Sequence, residues 1–326
     1  MKEQKNNVSI CGVLVKNNLE EFKTKKGDDA IGGTLVLRTS DNSEHEVRFY
    51  ANKYKKDENK NFTSEEGYFY KEYLDAKDTL IDLEHATELS PASVVSITDG
   101  QFTVNDFKGR DGKLAMANQI SARFINKIES KDYETTVMEA KFEVEGIIES
   151  IKDEIKDNVP TGNLIVTLDA IRQTADGFGK DAVYEVDSLV PIKMFVDKEM
   201  ATAFRSAGYY EGCFTKFFGK VINYKEKTTI TEPQSFGPDI VKEITIPVKR
   251  NEIKSGSTPS SIFEHELDQN IVDSLKSKRK LHLNAVMSGA VNSEVPFAEK
   301  PDTSKAPQMS SNPFASGSNS MNPFLQ

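Results

Sequence analysis

The feature that most constrains the fold is an order of segments that occurs twice along the chain. Five short runs rich in Val, Ile, Thr, Phe and Tyr, at 8–15, 33–39, 45–51, 94–107 and 120–128, read as strands. Between the third and the fourth lies a helical stretch over 68–83, preceded by Thr63 and Glu66 at the spacing of a capping box. The same order returns with different residues: runs at 142–151, 163–171, 183–192, 213–225 and 241–248, with a helix over 197–208 between the third and the fourth. That second helix has Asp197 at the N-cap position, Met200, Ala203, Phe204 and Ala207 on one face, and Gly208 at its stop.

Three points align the two passes residue by residue. Cys11-Gly12-Val13-Leu14 matches Glu145-Gly146-Ile147-Ile148, where a strand glycine suits a sharp bend that lets one strand serve two sheets. Gly33-Thr34-Leu35-Val36-Leu37-Arg38-Thr39 matches Gly162-Asn163-Leu164-Ile165-Val166-Thr167-Leu168, and Gly100-Gln101-Phe102-Thr103-Val104 matches Gly212-Cys213-Phe214-Thr215-Lys216. Five strands with one helix between the third and the fourth is the order of the oligonucleotide-binding barrel. The expected fold is mainly β: two tandem five-stranded Greek-key barrels of this type, over 1–134 and 135–254. After them, Ser255-Gly256-Ser257-Thr258-Pro259 reads as a linker. Ser261 and Glu264 are spaced to cap a short helix carrying Phe263, Leu267, Ile271 and Leu275, so 255–283 is expected to be linker plus amphipathic helix. From Asn284 to Gln326 the chain is rich in Ser, Asn, Pro and Ala, and is expected to be a disordered tail.

Composition narrows the function classes. A formal net charge of -9 argues against coating duplex DNA by bulk electrostatics, but not against single-strand binding, where stacking supplies part of the affinity and a basic groove can be local. Cys11 and Cys213 each sit in an apolar run, so no disulfide framework is expected. With neither a signal-peptide pattern nor a long apolar stretch, the expected compartment is the cytoplasm, that of the host if the protein is viral. His45, His85, His265 and His282 are far apart and share no metal-ligand spacing. Gly109 with Gly112 and Gly177 with Gly179 read as hairpin turns rather than a phosphate-cradling loop. The pairs Glu20-Glu21, Asp28-Asp29 and Glu65-Glu66 read as solvated surface. No enzyme activity, metal or cofactor is therefore expected.

What remains is cations and rings interleaved on strands and hairpins, the chemistry a strand-tracking groove needs. In the first module, alternation puts Leu35, Leu37, Val47 and Phe49 on one face and Val36, Arg38, Arg48 and Tyr50 on the other. The loop from Phe22 to Gly27 adds Lys25 and Lys26, and the hairpin from Asp106 to Lys113 adds Phe107, Lys108, Arg110 and Lys113; both loops flank the groove in this fold. In the second module alternation puts Phe217 and Val221 inward, with Phe214, Lys216, Phe218, Lys220 and Tyr224 on the other face. Lys216, Phe218, Lys220 and Tyr224 are the expected contacts. The run from Lys276 to Lys280 falls at the end of the expected tail helix, where cations favour the helix C-terminus.

With this strand order, its duplication, and a tail closing in Met321-Asn322-Pro323-Phe324-Leu325-Gln326, the chain resembles single-stranded DNA-binding proteins of bacteriophages and bacteria. The resemblance implies a non-catalytic protein that coats or protects single-stranded DNA in replication or recombination, with single-stranded RNA as the other strand the same chemistry would hold. It also implies a tail that recruits replication and repair proteins through Pro-Phe tips, here Pro313-Phe314 and Pro323-Phe324. The chain departs from that pattern in having no Asp or Glu after Asp302 and two residues beyond the last Phe. The competing expectation is a structural or adaptor protein whose barrels bind protein partners.

Overall fold

The computed structural model describes residues 3–57, 61–176 and 183–289. Gly177, Gly179 and all the Pro-Phe pairs lie outside the described residues. In the first half the elements are β1 (Asn6–Asn17), β2 (Glu20–Lys23), β3 (Asp29–Arg38), β4 (Glu44–Asn52), β5 (Tyr54–Lys56), β6 (Phe62–Glu66), α1 (Tyr68–Thr79), β7 (Val94–Lys108), β8 (Leu114–Ser121) and β9 (Asn126–Lys127). β1 pairs with β3, β3 with β4 and β8 with β7, all antiparallel; β4 pairs with β8 in parallel, and β7 returns to β1. β1 serves both ends of this circuit by changing partner at Val13, with register shifts between Val8 and Ile10 against β7 and between Leu14 and Lys16 against β3. Its first part pairs with β7 up to Val13 and its second with β3 from Val13 onward. A Cβ on Gly12 would lie 2.5 Å from the Arg38 carbonyl oxygen.

The second half repeats the pattern with β10 (Ala140–Lys156), β11 (Val159–Asp176), β12 (Val183–Val196), α2 (Lys198–Ser206), β13 (Phe214–Glu232) and β14 (Ile240–Gly256), followed by α3 (Gln269–Ser288). β10, β11 and β12 pair in sequence, β12 meets β14 in parallel at Phe195 and Glu252, β14 pairs with β13, and β13 returns to β10. Gly146 repeats the role of Gly12: a Cβ there would lie 2.4 Å from the Asp169 carbonyl oxygen. β1 also pairs with β10, from Asn6 opposite Val144 to Ile10 opposite Ala140, which makes one continuous sheet of both halves. All described residues fall in one compact unit, Met1–Glu294. None of their helices is long and apolar enough to cross a membrane.

Alternation places the core as the sequence predicts. Leu35, Leu37, Val47 and Phe49 are buried, and so are Val144, Leu164, Val166, Leu168 and Phe217. Phe102 and Phe142 meet edge to face at 5.9 Å, where the cores of the two halves adjoin. α1 inserts Tyr73 beside Phe49, with its hydroxyl donating to the Arg123 carbonyl at 2.9 Å. α2 forms where expected, and the Asp197 side chain accepts from the Glu199 N–H. Its Phe204 stacks on Tyr209 at 4.6 Å.

Several sequence expectations are corrected. Thr63 and Glu66 do not form a capping box: they belong to β6, α1 starts after Gly67 with no side-chain cap, and it ends at Thr79 because Leu80 is extended. Residues 255–259 are not a free linker. Ser255 and Gly256 complete β14 opposite Phe218 and Phe217, and the Ser257 N–H donates to the Lys216 carbonyl at 2.9 Å. Ser261 and Glu264 do form a capping box, but on a single 3-10 turn, Ile262–His265, broken by left-handed Glu266. That break lets Ile262 and Leu267 reach the same apolar cluster while Phe263 stays exposed. A separate helix, α3, then starts behind Asp268, whose side chain accepts from the Ile271 N–H, and runs past Asn284 to Ser288 before stopping at left-handed Gly289. The expected disorder therefore does not begin at Asn284, and Lys276 to Lys280 lie in the middle of a helix rather than at its end.

α3 lies across the outer face of the second circuit. Val272 and Leu275 pack with Ile147, Ile171, Leu189 and Phe214. Beneath it Asp169 is buried, and desolvation, then the Glu149 charge, push its carboxyl up to about 7, against the opposing influence of Lys276 and Arg279. The folded state thus holds this proton more tightly than an unfolded chain, where an Asp titrates at 3.8. The stability this proton contributes is fully present below that value and is lost as pH rises to about 7. Asp169→Asn is therefore expected to raise Tm at pH 8, with the gain shrinking toward zero near pH 4. Thermal unfolding across that range checks this, and a gain that does not vary with pH would contradict it.

Candidate nucleic-acid interface

On the first circuit, the outward face of β3 and β4 carries Tyr50, 42% exposed, with the Phe22 ring of β2 at 6.2 Å. The Tyr50 hydroxyl donates to Asn52 Oδ1 at 2.8 Å, and burial, then the Asp28 charge, raise its pKa, so it stays a neutral donor. Arg48 is half-buried and lines a cavity of about 200 Å³ with Glu46, Asn118, Asn223 and Lys249. His45, at the same cavity, is pushed down to about 4, chiefly by burial, and is neutral. Arg38 faces outward as expected, but its Nε and Nη2 are engaged by Glu44 at 3.0 and 2.6 Å. The alternation that turns Arg38, Arg48 and Tyr50 away from the core also turns Glu44 and Glu46 away from it, which lowers the cationic character of this face.

Both predicted loops are hairpin turns, although Phe22, read as part of the first, lies on β2. Lys25 and Lys26 are exposed at a turn closed by the Gly27 N–H donating to the Thr24 carbonyl at 2.9 Å. Phe107, Lys108, Arg110 and Lys113 are exposed on the β7–β8 hairpin, closed by the Gly109 N–H donating to the Lys113 carbonyl at 2.7 Å.

The predicted residues of the second half divide. Phe214 is only 2% exposed: α3 covers it from outside, and His265 stacks on its ring at 3.7 Å. Phe218 and Lys220 do come together. They line an open recess of about 360 Å³ with Lys141, Lys254, Glu143, Asn7 and Ser9, on the outer face where β1, β10, β13 and β14 run side by side. Phe218 is 38% exposed there. Strand register sets Lys141 directly opposite Lys220, an arrangement of like charges that costs stability in a sheet unless an anion lies between them. Lys141 pairs with Glu139 and Lys254 with Glu252, whereas Lys220 forms no ion pair among the described residues.

Lys216 plays a different part. Its Nζ contacts Glu143 and Glu145 at 2.9 and 2.7 Å and lies 5.8 Å from the Phe218 ring. Burial alone would lower its pKa, but the two carboxylates outweigh it and the net shift is upward. It is a fixed cation that holds the ring, with its charge already matched. Tyr224 is 37% exposed but lies outside the recess, at the foot of the long β13–β14 hairpin.

Sequence reasoning missed Lys141 and Lys254. Each is a lone lysine on a strand, and only the register across β10, β13 and β14 brings them to Lys220. Among the described residues no cluster of His, Cys, Asp or Glu could hold a metal ion. An exposed ring rimmed by ammonium groups offers stacking and phosphate contacts.

Among solved structures, the wild-type single-stranded DNA-binding protein from Thermus aquaticus is similar at 12% identity and a TM-score of 0.44, over 79% of this chain and 95% of that one. A deletion mutant of that protein is similar at 12% identity and a TM-score of 0.42, over 80% and 97%. A replication protein A heterotrimer bound to single-stranded DNA matches at 11% identity and a TM-score of 0.22, over 77% of this chain and 50% of that one. No curated protein matches the chain in sequence. The family described as YorF matches residues 4–288, and the chain belongs to that family.

Proposed function

We propose that this protein binds single-stranded DNA without catalysis, through two oligonucleotide-binding barrels at 1–134 and 135–254. The observation that carries this reading is the recess in which Phe218 lies exposed among Lys141, Lys220 and Lys254. The two strand circuits support it. Each runs first, second, third, fifth, fourth and back to the first, with its helix between the third and the fourth. In such barrels the second and third strands and the loops beside them form the usual nucleic-acid face. On the first barrel that face is open at Tyr50 and Phe22, with Lys25, Lys26, Lys108, Arg110 and Lys113 on the flanking hairpins, while Arg48 lies half-buried in the cavity it shares with Asn223 and Lys249. On the second, α3 covers Ile171 and Leu189, so the strand passes instead over β10, β13 and β14, where Phe218 stacks a base and the lysines meet phosphates. The protein coats or protects single strands in replication or recombination of a phage or mobile element, and its tail, with Pro313-Phe314 and Pro323-Phe324, recruits partner proteins.

Fluorescence anisotropy with labelled single-stranded and duplex oligonucleotides of one sequence, at two salt concentrations, tests this. The expected result is strand-selective binding that weakens as salt rises, because phosphate contacts release counterions. Absence of binding to either form at low salt would refute the reading and favour a barrel that binds protein.

A further inference from the structure

The β13–β14 hairpin continues beyond the barrel as a two-stranded ribbon, with register unbroken from Lys225 opposite Pro247 to Glu232 opposite Ile240. At about 3.3 Å per residue this part spans about 26 Å. Directly opposed residues share a face, so one face carries Tyr224 with Val248, Glu226 with Ile246, Thr228 with Ile244, Ile230 with Lys242, and then Ile240. The other carries Lys225 with Pro247, Lys227 with Thr245, Thr229 with Glu243 and Thr231 with Val241, so it is the more polar of the two although Val241 is exposed on it. The ribbon is therefore amphipathic. Tyr224, Ile230, Ile240 and Ile246 on its apolar face are 37–45% exposed, and Phe236 at the tip is 97% exposed. A lone two-stranded ribbon is marginal in water, and an apolar stripe along it is the pattern of a surface with a protein partner.

We propose that this face packs against the same face of a second copy of the chain, the two ribbons antiparallel about a two-fold axis through the Thr228–Ile244 row. The pattern is self-complementary about that row. The axis sets the row of Glu226 and Ile246 over the row of Ile230 and Lys242 of the other copy, so each Glu226 lies diagonal to a Lys242 and the isoleucines interdigitate between them. A parallel arrangement would set like rows together and place the two Glu226 carboxylates diagonal to each other, with no cation between them. Sheets pack face to face at about 10 Å. The ribbon face is smaller than the roughly 800 Å² per partner of a standard stable interface, so association is concentration-dependent rather than permanent.

Sedimentation velocity of the full chain from roughly 1 to 100 µM is the test. The expected result is a mass that rises toward twice the monomer, and a monomer at all concentrations for the variant carrying Ile244→Lys and Ile246→Glu. Both positions are on the ribbon outside the barrel, and circular dichroism verifies that the variant is folded. Mild oxidation of Thr228→Cys is expected to crosslink two copies readily, whereas Thr229→Cys, on the polar face, does not. A wild-type chain that stays monomeric, a charged variant that associates like wild type, or equal crosslinking of the two cysteine variants would overturn the proposal. So would a charged variant with unchanged mass but lost single-strand affinity, which would make the ribbon a DNA contact.

Discussion

Replacing Asp106 by alanine is expected to lower stability by about 3 kcal/mol and to loosen α3 from the rest of the protein. Asp106 is almost fully buried on β7 and accepts from both terminal nitrogens of Arg279, at 3.1 and 2.8 Å; His282 of α3 lies 3.5 Å away. The Arg279 side chain is itself only 17% exposed. Removing the carboxylate leaves a desolvated guanidinium without the carboxylate that hydrogen-bonds both its terminal nitrogens, which is why the cost far exceeds that of a surface pair. Because β7 belongs to the first circuit and α3 packs on the second, the pair ties the helix across both. Urea unfolding measures the loss, and hydrogen exchange locates it: α3 amides are expected to exchange faster while those of β4 and β11 keep their order of protection. Replacing both partners, Asp106→Leu with Arg279→Met, is expected to recover most of the stability. A loss below about 1 kcal/mol for Asp106→Ala would mean that Val272 and Leu275 hold the helix unaided.

The second large effect concerns affinity. Phe218→Ala together with Lys220→Ala is expected to weaken single-strand binding by about 10- to 100-fold, taking a stacked base at about 1–3 kcal/mol as the main contribution. The lysine contributes a separate signature. With one phosphate contact fewer, the logarithm of affinity should fall less steeply with the logarithm of salt, by about 0.7 for a single strand. Both side chains are exposed, so the melting temperature should hardly change. Lys216→Ala provides a contrast: it leaves Glu143 and Glu145 without their cation, so stability should fall along with affinity. Unchanged affinity and salt slope in a folded Phe218, Lys220 double variant would remove this recess from the binding surface.

Much of the architecture is legible in the chain because it is written in local patterns. Alternation of period two fixes which side of a strand is apolar, so Leu35, Leu37, Val47 and Phe49 announce the core without any knowledge of their neighbours. Glycine at 12 and 146 marks two close approaches of strand to strand, because no side chain fits against a carbonyl that close. The start of α2 follows from Asp197 and its apolar spacing alone. At Thr63 and Ser261 the same kind of signal misleads. A capping pattern states only that a turn can be satisfied, and strand pairing at β6 or a left-handed residue at Glu266 then decides whether a helix follows.

The candidate site was legible only in part, for the same reason. Sequence alone determined that Phe218 and Lys220 share an outward face and that the Tyr50 face looks out of the first circuit, since both follow from strand period. Only the tertiary structure decided that α3 would bury Phe214, that Glu44 would engage Arg38, and that Lys141 and Lys254 would stand beside Lys220. Which outward face is later covered, and which charges meet across strands, depends on register and docking between segments tens to hundreds of residues apart. No local periodicity encodes those distances, because they are set by closure of the strand circuits and by where the chain after them comes to rest.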